Sequence, residues 1–498
     1  MLDKIKSLGA DTAIYGVSTI VGRFLNFLLV PFYTNVLLPS QYGVVATVYS
    51  YIAFMNIIYI YGMESAYFKY ASTREIGSDK QIFSTPFFSI LITSLIFSSL
   101  IFLSSNKLAP LIEVPVQFSD TVKYSAIMLL LDSLAIIPFA SLRLQRKVKT
   151  FATVKIINIV VNVVTNVVLL LKFHAGVEGI FISGVIASGV TLALLLPEIL
   201  PKLTLHFISK LYAALLKFGL PYIPAGLAAM MVQVIDRPIL LALTNESTVG
   251  IYQANYRLGI FMMLVVSMYD YAWRPFFLTQ ANEPNAKQLY SKILTYFTLF
   301  SSIIVLLVSL YIDDLVKIHI YHGRSIINPA YWSGLGIVPI VLIGYLFNGI
   351  YVNLMAGIYI EKKTSHLPYI TGIGAVINVA ANFLLIPKFG MFGAAWATFF
   401  AYAGMALAIY IVSQKFYPVQ YELGRLLKIA VALSVTIIIF SLRHSLPLFL
   451  NDQLLKIFTF ILFFAILLLL RFPTKEELAL LRSRIRNQKS KPQLKNQR

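Results

Sequence analysis

Residues 31–55 read PFYTNVLLPSQYGVVATVYSYIAFM, and residues 238–262 read PILLALTNESTVGIYQANYRLGIFM. A slide of 207 positions superposes them without a gap. Pro31 then falls on Pro238, Ser40 on Ser247, Gly43 on Gly250, Val44 on Ile251, Tyr49 on Tyr256, Phe54 on Phe261 and Met55 on Met262. Each segment is the end of one apolar run, a short polar joint and the start of another. Further out, Asn162, Asn166, Lys172 and Phe173 correspond to Asn378, Asn382, Lys388 and Phe389. The pair Gly176 and Gly179 corresponds to Gly390 and Gly393 after a small shift. Apolar helices resemble one another by composition, so one match carries little. Their common order and spacing indicate an internal duplication.

Apolar stretches of about twenty residues, the length that spans a bilayer as a helix, recur on either side of these segments. Among the 498 residues 58% are hydrophobic and 12% charged, and the mean hydropathy is +0.78. Soluble domains are about a quarter charged, and a soluble fold this poor in charge could not cover its surface. The expected class is all-α: a polytopic membrane protein of about fourteen transmembrane helices. They are placed at 10–36, 42–66, 82–104, 121–141, 153–172, 177–197, 217–243, 250–273, 291–312, 333–357, 367–387, 391–413, 426–446 and 453–471. The first is read as an uncleaved helix, because its apolar run is too long for a signal peptide and no small-residue cleavage site closes it.

The repeat unit is six helices. An even number returns the chain to its starting side, so both units insert alike, and the axis relating them lies along the membrane normal, as in parallel-repeat transporters. The expected organisation is an N-lobe (1–200), a C-lobe (205–415), two extra helices (420–471) and a basic tail (472–498). The net charge of +20 could suggest nucleic acid, but its placement argues against that partner. Alternate loops collect the cations: Lys69, Arg74 and Lys80; Arg143, Arg146, Lys147 and Lys149; Lys202, Lys210 and Lys217; Arg274, Lys287 and Lys292; Lys362 and Lys363; Lys415, Arg425 and Lys428. By the positive-inside rule these loops and both termini are cytoplasmic. The tail suits anionic headgroups of membrane lipids.

A charge at the centre of a bilayer costs about 2.5–3.5 kcal/mol on insertion scales, so charges inside the helices are the candidate functional residues. Arg23, Lys155, Arg237 and Arg257 are candidates for binding an anionic substrate, since guanidinium donates paired hydrogen bonds to phosphate and stays charged at any working pH. Asp132 and Asp236 are candidate proton or cation sites. The structural alternative is ion pairing between helices, Asp236 with Arg257 or Asp132 with Arg23, and Lys155 could snorkel towards the membrane surface. Pro31 and Pro238, at equivalent places in the repeat, are candidate helix bends. Tyrosines such as Tyr49, Tyr252 and Tyr256 could stack on sugars, although packing and interfacial anchoring are commoner uses.

The sequence holds no cysteine, no phosphate-binding Gly-x-x-x-x-Gly-Lys-Ser/Thr loop and no His/Glu cluster with metal spacing. No cofactor or metal is expected. The longest loop, about 313–332, is too short for a catalytic domain.

The segment Gly22 to Asn35 followed by Pro39-Ser40-Gln41-Tyr42-Gly43 resembles the first hairpin of the Wzx-type polysaccharide flippases, of the multidrug/oligosaccharidyl-lipid/polysaccharide exporter superfamily. Lys217 to Pro224, Asp236-Arg237 and Val249-Gly250-Ile251-Tyr252 are similar to the same family. The resemblance implies two six-helix lobes around a V-shaped cleft in the inner membrane. It implies a non-enzymatic flippase that moves an undecaprenyl-diphosphate-linked oligosaccharide to the periplasmic leaflet by alternating access, for O-antigen, capsule or exopolysaccharide synthesis. Cationic cleft residues, by position Arg23 and Arg257, would hold the diphosphate. A polysaccharide polymerase and chain-length proteins would be partners. The extra helix pair resembles that of the lipid II flippases, but their arginine pattern in helix 1 is not matched. A multidrug antiporter of the same superfamily and a membrane polymerase or ligase are the alternatives. The former usually places carboxylates in its cleft, and the latter typically carries a large periplasmic loop.

Overall fold

The computed structural model describes residues 27–321, 323–442, 451–474 and 477. Most of the first expected helix, with Arg23, and the tail beyond 477 lie outside the described residues.

The described chain is almost wholly helical. Helix α1 covers Phe27–Val36. It is followed by α2 (Pro39–Ile60), α3 (Met63–Thr73), α4 (Asp79–Leu103), α5 (Ser105–Leu111), α6 (Ser119–Leu144), α7 (Val148–Leu171) and α8 (Gly176–Ile199). Next come α9 (Ser209–Gly219), α10 (Tyr222–Val234), α11 (Asp236–Leu243), α12 (Glu246–Leu258), α13 (Ile260–Gln280) and α14 (Ala286–Lys317). A small antiparallel hairpin, β1 (His319–Tyr321) with β2 (Arg324–Ser325), precedes α15 (Val338–Ile360), α16 (Leu367–Phe389), α17 (Met391–Phe416), α18 (Leu423–Ser441) and α19 (Asp452–Leu469). Among the described residues, 12 helical segments are long and apolar enough to cross a membrane, and α12 with α13 forms a further span bent by 46°. With α1 as the described end of the first, this is the polytopic architecture expected from hydropathy.

Local chemistry sets where these helices begin and break. Pro39, whose missing N–H costs nothing in a first turn, opens α2, and the Gln41 side chain accepts the Leu38 N–H at 3.0 Å. Asn245 caps α12 by accepting the Thr248 N–H at 2.9 Å. Three expected helices are broken. The second bends where Tyr61 and Gly62 take positive φ (34° and 74°), splitting α2 from α3. The seventh is three pieces, α9, α10 and α11. Helix α10 ends at Val234, the residue whose carbonyl would have received the N–H that Pro238 lacks. The eighth turns at Gly259, where a Cβ would come within 2.6 Å of the Val341 side chain.

The chain divides into two compact units, residues Met1–Leu278 with Leu315–Tyr417, and Thr279–Asp314 with Pro418–Arg498. In the larger unit α4, α6, α7 and α8 pack together, as do α10, α15, α16 and α17, and α2 packs along α12. One apolar core gathers Met63, Tyr67, Phe83, Ile137 and Leu195 around α3, α4, α6 and α8. In the smaller unit Ser291 donates to the Gln420 carbonyl (2.8 Å) and Thr295 to Glu422 (2.7 Å). There the buried Lys456 ammonium lies 2.7 Å from Asp314 and 2.6 Å from Asp452.

The α2–α12 contact is reciprocal. A Cβ on Gly43 would lie 1.9 Å from the carbonyl oxygen of Glu246, and one on Gly250 would lie 1.9 Å from that of Pro39. The shift of 207 carries Gly43 to Gly250 and Pro39 to residue 246, so the two contacts are images of each other, as twofold packing requires. The asparagine pairs repeat as well. The Asn166 amide donates to the Asn162 carbonyl at 2.8 Å, and the Asn382 amide to the Asn378 carbonyl at 2.8 Å.

Candidate functional site

On either side of the α2–α12 contact the larger unit contains two cavities that share a wall. One, of about 730 Å³, is lined by residues of α1, α2, α6, α7, α8, α10 and α12. The other, of about 560 Å³, is lined by α2, α10, α11, α12, α13, α15, α16 and α17. Ala46, Tyr49, Ala53, Gln253 and Arg257 line both.

Arg257 is the exposed residue in an otherwise buried run of α12, between Tyr256 and Leu258. It makes no hydrogen bond or ion pair among the described residues. The larger cavity adds Lys155 and Asp132. Lys155 is exposed on α7 with its ammonium 4.3 Å from the Phe139 ring centroid, and it too has no ion-pair partner among the described residues. It faces a cavity, where a cation needs no snorkelling. The Asp132 carboxylate accepts a hydrogen bond from Ser188 at 2.6 Å.

Arg237 and Asp236 are arranged differently. The Arg237 guanidinium lines the smaller cavity yet is bound on several sides: Nη1 to Asp236 at 2.6 Å and to the Gln233 carbonyl at 2.6 Å, and Nε to Gln253 at 3.0 Å. It lies 4.3 Å from the Tyr256 ring centroid. Asp236 also accepts a hydrogen bond from Tyr252. The partner of Asp236 is thus its sequence neighbour rather than Arg257. The interruption at Ile235 ahead of Pro238 fits this arrangement, since the Gln233 carbonyl bonds the Arg237 side chain where an unbroken helix would engage it with the Arg237 backbone N–H.

The structure therefore gathers Lys155, Arg237, Arg257 and Asp132 on two adjoining cavities and sets Asp236 behind the wall. Pro31 lies within α1 and Pro238 within α11. Sequence reasoning missed the neutral polar lining: Asn158 and Asn162 in the larger cavity, Gln233 and Asn348 in the smaller. A signal existed for the first pair. Lys155, Asn158 and Asn162 follow an i, i+3, i+7 spacing, a polar stripe on an apolar helix.

The described chain is thus a polytopic helical bundle with charged, polar cavities inside its larger unit. A lipid II flippase MurJ in an inward closed conformation is similar in fold, with a TM-score of 0.71 at 16% identity over 92% of this chain and 98% of that one. An inward-facing multidrug resistance MATE family transporter of the MOP superfamily is similar as well, with a TM-score of 0.62 at 13% identity over 79% and 94%. An uncharacterized membrane protein of Methanocaldococcus jannaschii is 40% identical over 78 residues, and the match spans 15% of each chain. The polysaccharide biosynthesis protein family matches residues 34–323. The chain belongs to that family.

Proposed function

We propose that this protein is a flippase that carries a polyprenyl-diphosphate-linked oligosaccharide across the cytoplasmic membrane for surface-polysaccharide assembly. The observation that carries this reading is a pair of cations, Arg257 and Lys155, that make no hydrogen bond or ion pair among the described residues and line adjoining cavities inside an apolar bundle. A cation without an ion-pair partner in such a place is costly unless a substrate or water compensates it, and phosphate oxygens match both groups. Membership of the polysaccharide biosynthesis protein family supports a glycan cargo, and the fold shared with a lipid II flippase supports a lipid-linked one. The protein breaks no covalent bond in this reading. Asp132, beside Ser188 in the same cavity, is the candidate coupling site for a proton or cation. Arg237, already paired with Asp236, shapes the wall. The bias of the loop cations supports a cytoplasmic side for both termini, and in this reading a polymerase and chain-length proteins act on the exported unit.

The test is Arg257→Ala in the native host. Surface polysaccharide is expected to fall while the protein level stays normal; full surface polysaccharide would remove Arg257 from the mechanism. The competing reading is multidrug antiport, which a cavity carboxylate such as Asp132 would serve. Altered drug resistance with intact polysaccharide in a deletion strain would favour it.

A further inference from the structure

The two cavities are images of each other under the duplication. The shift that carries Asn162 to Asn378 also carries Leu144, the last residue of α6, to Ile360, the last of α15. It lays Asp132 on Asn348 and Lys155 on Thr371, and the shift that carries Gly176 to Gly390 lays Ser188 on Tyr402, beside Tyr345. Asp132, Lys155 and Ser188 line the larger cavity, and their counterparts line the smaller. We infer that Asp132 and Lys155 are a proton-exchange pair. Lys155 balances the Asp132 carboxylate in the empty chamber, and an anionic headgroup that engages Lys155 leaves the carboxylate to take a proton from water. This rests on the flippase reading above and names the coupled ion and the step that couples it.

Three observations carry it. The first is that acid and base come and go together. Asp132 and Lys155 of one half correspond to two neutral residues of the other. The reverse holds for Asp236 and Arg237, whose counterparts across the 207-residue shift are Leu29 and Val30. Each acid stands only where its base does, as expected of charges that balance each other. The second is spacing. Asp236 and Arg237 are in contact at 2.6 Å, a closed pair. Asp132 and Lys155 share a chamber of about 730 Å³, yet no ion pair joins them among the described residues. An open pair leaves each charge within reach of a ligand. A nearby opposite charge favours the ionised carboxylate, and its loss favours the protonated one. The third is what else faces Asp132. The other titratable or charged side chains of the described lining are Tyr33 of α1, Tyr42 and Tyr49 of α2, and Arg257 of α12. Helix α4 meets α6 beside it through Ser94 and Ser133 at 2.8 Å. Phenols are uncharged near neutral pH, so Lys155 and Arg257 are the charges that a headgroup redirects. A metal ion is the poorer match. The Asn158 amide already donates to the Ala187 carbonyl at 3.1 Å and the Thr191 hydroxyl at 2.8 Å, and the chamber's own two cations repel another. A proton needs no shell of oxygen ligands.

The test uses the purified full chain in lipid nanodiscs. The probe is undecaprenyl diphosphate carrying one N-acetylglucosamine, a diester whose phosphates gain no proton near neutral pH. Titration calorimetry in two buffers of different ionisation enthalpy counts the protons taken up on binding. The wild type is expected to take up at most one proton per site. The bound state then holds more protons than the free one, so binding weakens as pH rises, by up to about tenfold per pH unit. Asp132→Asn, which mimics the protonated acid and keeps Lys155, is expected to bind at least as tightly and to take up none. Asp132→Asn/Lys155→Thr, which copies the pair of the other half, is expected to take up none and to bind more weakly. Arg257→Ala is expected to bind more weakly while still taking up a proton. If the wild type binds without uptake, if Asp132→Asn keeps the uptake, or if Arg257→Ala binds but loses it, the exchange pair is refuted and the flippase reading stands. If the wild type does not bind the probe, the flippase reading fails and the pair with it.

Discussion

Arg237 and Arg257 flank the same cavity twenty positions apart, yet the fold treats them in opposite ways. Arg237 is buried against its own carboxylate, and Arg257 is left open. Their substitutions should therefore fail differently. Asp236→Asn leaves a buried guanidinium without its counter-charge, and breaking a buried pair costs about 3–5 kcal/mol. The expected result is a protein that unfolds at markedly lower temperature in detergent, read by a thermal-shift assay. Arg257→Ala removes no hydrogen bond or ion pair among the described residues, so its unfolding temperature should stay within the error of the wild type even as transport falls. Arg257→Lys should restore part of that transport, since a lysine keeps the charge but not the bidentate fork. The charged members of the site were legible in the sequence, because a charge in an apolar helix is expensive and stands out. Gln233, Asn348 and Tyr345 were not, since uncharged polar and aromatic side chains are common in such helices and only tertiary packing decides which of them meets a cavity.

Among the elements, the existence and order of the helices followed from hydropathy, while the breaks did not. The bends at Tyr61–Gly62 and Gly259 depend on positive φ and close packing, neither of which leaves a periodic trace in an apolar run. Pro238 was the exception, since a missing N–H has a known address four residues back. Pro238→Ala is expected to let α10 and α11 join into one straighter helix and to withdraw the Arg237 side chain from the Gln233 carbonyl. Its signature would be reduced glycan export at unchanged or raised thermal stability. The crossing of α2 and α12 is held more tightly. Gly43→Val would drive a branched side chain into the Glu246 backbone, where no rotamer change relieves the clash. A loss of at least about 1–3 kcal/mol is expected, visible as a drop in folded yield and unfolding temperature.

For the whole molecule, the composition announced a membrane protein and the 207-residue shift announced its duplication. The partition into compact units was less legible. Helix α14 falls mostly within the smaller unit with α18 and α19, a grouping that the spacing of apolar runs could not reveal because it is made by contacts such as Thr295 with Glu422. In that unit Lys456 binds two carboxylates that remain partly exposed, at 39% and 54%. Lys456→Ala should cost about 1.5–3 kcal/mol, the worth of hydrogen bonds to charged groups. Limited proteolysis within 418–474 should report it as faster cleavage.

The reciprocal seating of Gly43 and Gly250 has a consequence for how this chain can vary. A gene that has doubled may let its halves drift apart at positions that do not meet. At a dyad each half is the other's mould, so a methyl added to one hairpin must be accommodated by the backbone of its sibling.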